Sequence, residues 1–353
     1  TLFNIHMTTT LDFKTAKISS LITHHVGNRL YEDPLVLSDE TSSLSEVITM
    51  DYLMTYFLNQ FQPVDIQHFT HSIDLDMNEV YSCVRNIFIE EEKFIDESKN
   101  LAKMLYEHAD HPQIKSGELN VVYFENIEYN EGIVSAIGIF KSESNAPFLR
   151  MRTQNSGYFI DHEFGFGLKS LDKGCLVLET NEEEGFRVLV IDKKNKSDAQ
   201  YWVDDFLRLS PVADEYNVTK EFLSVAKDFV TDQLPSVQPI EKTDQIDLLN
   251  RTMDYFKGNE LFEKDDFEKE VFQSEKLISS FRDFEEGLSD QQKPQKSFYI
   301  SEKAVKKQTK IYKSVLKLDK NFHVYIHGNR EMIEKGMDEN GRKYYKIFFE
   351  EEN

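Results

Sequence analysis

Between Leu119 and Asp192 short runs rich in apolar residues recur between polar turn segments, and this constrains the fold more than any other feature of the chain. Leu119–Glu125, Gly132–Lys141, Tyr158–Glu163, Cys175–Glu179 and Phe186–Asp192, rich in Val, Ile, Phe and Tyr, therefore read as successive strands. Connections as short as Asn126–Glu131 and Asn181–Gly185 leave no room for a crossover helix, so neighbouring strands should run antiparallel. Lys17–His25 is a further strand, with Asp33–Leu37 as its partner beyond a turn at Gly27-Asn28.

Outside this stretch helical spacing appears. Ser43 and Glu46 form a capping box ahead of Val47, Ile48, Leu53, Met54, Phe57, Leu58 and Phe61, which have helical spacing. Asp76 with Glu79 opens a second helix through Val80, Val84, Ile87 and Phe88. Phe94–His108, Ala199–Leu207 and Thr219–Gln233 follow as helices. Pro235-Ser-Val-Gln-Pro239 reads as a linker, because the residue before each proline is biased out of helix. Acidic helices are expected over Thr243–Gly287. A polar linker, Ser289–Lys296, then leads to a helix over Ser301–Leu318 and a hairpin joining Asn321–His327 to Tyr344–Glu350 around Asn340-Gly341. The expected architecture is α+β: a central antiparallel sheet flanked by helices, plus a C-terminal helix and β-hairpin. It divides into an N-terminal α+β domain over residues 1–234, an acidic helical segment over 240–290, and a basic helix with hairpin over 297–353.

Signals for catalysis, metals and membranes fail when tested. Asp74-Leu-Asp-Met-Asn78 starts like a calcium loop, but Glu79 stands where the sharp turn needs Gly, and Arg85 where the closing Glu belongs. Gly165-Phe-Gly167-Leu-Lys169-Ser170 lacks the spacing of a phosphate loop. His323 and His327 lie in a strand-like segment that holds them roughly 13 Å apart. Cys83 and Cys175 have no partner spacing for zinc and read as core thiols in a reducing compartment. No apolar run is long enough to span a bilayer and the first residues lack a secretory pattern, so the cytoplasm is the expected compartment. No catalytic residue, metal ligand or cofactor is assigned, and binding rather than catalysis is expected.

Charge is the remaining signal. There are 41 basic and 63 acidic residues, a net charge of −22. Asp254–Asp290 carries twelve acids and five bases, a net of −7, whereas Lys293–Lys320 carries nine lysines and two acids, a net of +7. Lys303, Lys306, Lys307, Lys310, Lys313 and Lys317 recur at helical offsets, with Val305, Ile311, Tyr312, Val315 and Leu316 as the apolar counterpart. Such a stripe neutralises phosphates without reading bases, since lysine lacks the bidentate fork of arginine. The bland alternative is a solvated face that balances the acidic helices upstream.

Several segments resemble one family: Gly117-Glu-Leu-Asn-Val-Val-Tyr-Phe124, Ile137-Gly-Ile-Phe-Lys-Ser142, Leu171-Asp-Lys-Gly-Cys-Leu-Val177, Ala199-Gln-Tyr-Trp-Val-Asp-Asp-Phe-Leu207, Ser314-Val-Leu-Lys-Leu-Asp-Lys-Asn-Phe-His323 and Tyr344-Tyr-Lys-Ile-Phe-Phe349. Together they resemble the bacterial nucleoid-associated protein family of the NdpA/YejK type, over most of the chain. The resemblance implies nucleoid association, DNA binding and links to DNA topology, and brings no catalytic residues. The expected function is non-specific binding of double-stranded DNA through the lysine helix. The alternative is an adaptor, partly mimicking DNA through its acidic helices, that acts on DNA-topology proteins. A membrane partner is not expected, and a homodimer, the commonest oligomer, fits either reading.

Overall fold

The computed structural model describes residues 9–44, 47–143, 145–155, 157–169, 171–192, 201–289, 293–312, 315–318, 320, 322–326 and 332–350. Two compact units emerge, Thr1–Val212 and Ala213–Asn353. The division falls ahead of Pro235–Pro239 because the helix before that segment places Phe222, Leu223, Ala226 and Phe229 in the core of the second unit. Pro235 itself lies in a short helical segment, Leu234–Val237, that follows directly on the π-helical turn at Phe229–Gln233.

The first unit is built on one antiparallel sheet. Its strands are β1 (Leu11–Asp12), β2 (Lys17–Val26), β3 (Leu35–Val36), β4 (Gln67–Phe69), β5 (Gly117–Tyr129), β6 (Gly132–Ser142), β9 (Lys173–Leu178), β10 (Arg187–Asp192) and β11 (Leu209–Pro211); β7 (Ala146–Gln154) and β8 (Gly157–Gly165) stand apart. The order across the sheet is β11-β4-β10-β9-β6-β5-β2-β3, with β1 pairing on β5. Both faces are covered. Helix α1 (Val47–Leu58) packs Tyr56, Phe57 and Leu58 against Phe124, Phe140 and Leu176 on one side. Helices α2 (Glu79–Ile89) and α3 (Phe94–Glu107), with a π-helical turn at Tyr201–Leu207, pack against Ile22, Val121, Ile137, Cys175 and Val188 on the other.

Two bulges reconcile sequence with pleat. Ile18 and Leu21 are an odd number of residues apart, yet both join the α1 side, because the β2–β5 register shifts between Ile18 and Ser20. Phe124 and Ile127 share that side for the same reason, with the shift at Asn126, whose φ is 59°. In the turn into β10, Gly185 has φ 89°, and a side chain there would collide with the Phe69 carbonyl.

Tyr158–Glu163, expected in the main sheet, lies instead in β8, which among the described residues pairs with β7 as a separate two-stranded ribbon. The second helix is capped by Asn78 and not by Asp76, which belongs to a preceding 3-10 turn capped by Asp74. Glu46 of the expected capping box, and Ala199, lie outside the described residues.

The second unit gathers around phenylalanine. Helices α4 (Glu215–Asp228, extended by a π-helical turn at Phe229–Gln233), α5 (Lys242–Gly258), α6 (Glu275–Glu286) and α7 (Glu302–Thr309) enclose Phe222, Phe229, Phe256, Phe262, Phe267, Phe272, Phe281 and Phe298. Phe262 and Phe298 stack at 4.5 Å across a small ladder of β12 (Leu261–Glu263) with β13 (Ser297–Tyr299), which breaks the expected helical run. Two hairpins follow, β14 (Val315–Leu318) with β15 (Phe322–Tyr325) and β16 (Ile333–Met337) with β17 (Lys343–Ile347). The Asn340-Gly341 turn therefore joins β17 to β16, not to Asn321–His327.

Candidate nucleic-acid interface

Helix α7 begins where Ser301 accepts a hydrogen bond from the Ala304 amide at 3.4 Å, while the Ser301 amide donates to Thr219 Oγ1 on α4 at 3.0 Å. Its packed side is Ala304, Val305 and Gln308, all buried. At about 100° per residue, Lys303, Lys306, Lys307 and Lys310 fall within an arc of about 100° on the opposite side. All four are exposed. Lys306 and Lys307 occupy the last turn, where the carbonyl end of the helix favours cations. The Lys307 ammonium stands 5.8 Å from the centre of the Tyr216 ring. Among the described residues, no ion pair engages Lys303, Lys306 or Lys310.

The expected helix over Ser301–Leu318 ends at Thr309. Tyr312 is the cause on one side: its buried hydroxyl donates to the Leu223 carbonyl and anchors the chain against α4. On the other, Val-Leu-Lys-Leu alternates with period two and pairs with Phe322–Tyr325, so the chain turns into a hairpin. The lysine stripe is thereby divided. Lys303, Lys306, Lys307 and Lys310 share one helix face; Lys317 is exposed on β14 opposite His323; Lys313 lies outside the described residues, as does His327.

The acidic block is less available than its composition implies. Glu268 and Glu285 are buried, Glu268 held by Arg282 and Glu285 by Lys264. Burial pushes the Glu285 carboxyl up from its ordinary value. Lys264 and Arg282 also line a charged cleft with Glu263, Asp265 and Lys296. Lysines elsewhere are likewise consumed inside the fold. Lys141 and Lys173 face each other across β6 and β9, fully buried, with Lys173 3.0 Å from Asp192 and Lys141 3.3 Å from Glu143. Tyr201 lies beneath both ammonium groups.

Cys83 and Cys175 are buried free thiols, with burial pushing both well above the ordinary thiol range. Among the described residues, no three His, Cys, Asp or Glu side chains converge on a metal position, and no helix is long and apolar enough to cross a membrane. A family model described as nucleoid-associated protein YejK matches residues 22–342. No curated protein matches the chain.

Proposed function

The chain belongs to the nucleoid-associated protein YejK family, and on that premise we propose that it binds double-stranded DNA non-specifically through the lysine face of α7. The observation that carries this is the placement of Lys303, Lys306, Lys307 and Lys310 on the solvent side of one capped helix whose other side is buried. Lysines in that arrangement meet phosphates as point charges and leave base edges unread. Lys317, and Lys313 by sequence, extend the basic segment beyond the helix.

Four phosphate contacts would give log K a slope of roughly −3 to −4 against log salt above about 0.1 M. Retardation of any duplex should therefore fall steeply with salt, and changing Lys303, Lys306, Lys307 and Lys310 together to Glu should abolish it. Undiminished retardation by that variant would remove α7 from the contact.

The adaptor reading draws on the exposed acids of Asp254–Glu286, but two carboxylates of that block are spent inside the fold. We place it second. A non-enzymatic role in the nucleoid is part of the same proposal.

A further inference from the structure

The β7–β8 ribbon carries a face that water should not see. Its register pairs Pro147 with Phe164, Leu149 with His162, Met151 with Ile160 and Thr153 with Tyr158, all on one side. Leu149 is 70 % exposed, Met151 66 %, Tyr158 78 %, Ile160 59 % and Phe164 64 %. The other side is polar at its centre, where Arg150 and Arg152 interleave with Asp161 and Glu163. That side also exposes Phe148 and Phe159 towards its ends, so the two sides differ mainly at the centre, and the ribbon joins no third strand among the described residues. An isolated two-stranded ribbon is marginal in water unless its apolar face is covered. Continuous apolar exposure of this extent marks an interaction surface.

We propose that the cover is the same face of a second copy of this chain, the two ribbons packing as an isologous pair. This inference is independent of DNA binding. Charge selects the occupant. Residues 146–165 hold two arginines, one aspartate and one glutamate, a net of zero within a chain of −22. Two copies can therefore meet here without the repulsion that the rest of the molecule imposes. The apolar face offers no lysine or arginine to a nucleic acid or to an anionic membrane. Area is sufficient as well. Five large side chains at about 100 Å² each bury roughly 1,000 Å² over two copies, the size at which a specific interface begins. Laid in reverse over its partner, the Met151–Ile160 row covers the Leu149–His162 row, and Tyr158 meets Phe164 at each end.

Sedimentation velocity of the full chain at micromolar concentration should give a dimer, and the double variant Leu149→Lys with Ile160→Lys should weaken association at least about thirtyfold. Unchanged far-ultraviolet dichroism and Trp202 fluorescence would show that the variant is folded. A second measurement leaves the fold nearly untouched: Met151→Cys carrying pyrene should give excimer emission, since both natural thiols are buried. A monomeric natural chain, a dimer that survives both lysines, or absence of excimer overturns the proposal. A monomer that floats with neutral phosphatidylcholine vesicles overturns it too, and assigns the face to lipid.

Discussion

His24 shows how one residue sets a pH limit on the first unit. It is 1 % exposed, accepts the Ser38 amide at Nδ1 (3.1 Å) and lies 3.0 Å from Ser98 Oγ at Nε2. The tautomer that satisfies both is neutral, with Nε2–H donating, because Ser98 already donates to the Ile95 carbonyl. Burial, with a smaller push from Lys99, lowers its pKa to about 4. An unfolded histidine titrates near 6.5, so as pH falls below about 6.5 the unfolded chain takes up a proton that the native one refuses. Stability is lost through that window, by about 2 kcal/mol between pH 6.5 and 5. Trp202, the single tryptophan and buried in the same unit, reports the urea midpoint. His24→Gln should be less stable at pH 7 but lose less on acidification. An equal loss in both proteins would place the sensitivity elsewhere.

At the scale of elements, Asn78 does more than begin a helix. Its Oδ1 accepts the Tyr81 amide at 3.1 Å, while Nδ2 donates to the Thr70 and Leu207 carbonyls at 3.0 Å each. The start of α2 is thereby tied to the chain leaving β4 and to the end of the π-helical turn. Aspartate caps helices as well as asparagine does, so a simple cap would tolerate it. Here Asn78→Asp sets a carboxylate against two carbonyls. We expect both Asn78→Asp and Asn78→Ala to cost on the order of 2 kcal/mol or more by Trp202-monitored unfolding, and a neutral Asn78→Asp would reduce the residue to a cap. The same comparison shows what could be read from sequence. The long strands were legible, since short runs of Val, Ile, Phe and Tyr bounded by turn residues mark strands buried on both faces, and so were α1 and α3. Asp76 with Glu79 matches the capping-box pattern, whereas Asn78 is marked as the cap only by its hydrogen bonds in the folded chain. The β7 strand is not legible in the sequence, because Phe148 interrupts the Arg150–Arg152 side and the stretch lacks a clean polar phase. Four members of the lysine stripe were legible as one helix face. Lys317 lies off that face because the lysine spacing persists past Thr309, whereas the Val315–Leu318 strand and the Tyr312 anchor decide where the helix stops.

For the whole molecule, the proposed DNA binding requires an anion of net charge −22 to approach a polyanion. Long-range and contact electrostatics then have opposite signs. At 0.01 M salt the screening length is about 30 Å, and a DNA duplex feels the summed negative field of the protein before it meets the lysines of α7. At 0.1 M the length shrinks to about 10 Å: the distant acids are screened, while contacts a few ångströms long persist. The association rate constant should therefore rise, by severalfold, as salt increases from about 0.01 to 0.1 M, the reverse of the behaviour of basic DNA-binding proteins. Dissociation should quicken over the whole range as cations compete for the phosphates, so net affinity should peak at intermediate salt and then fall. Stopped-flow mixing with a fluorescent duplex separates the two rates. An association rate that declines steadily from the lowest salt would mean that attraction governs the approach as well. The lysine face would then dominate the field that DNA encounters, and the anionic remainder would have to be turned away from it during the encounter.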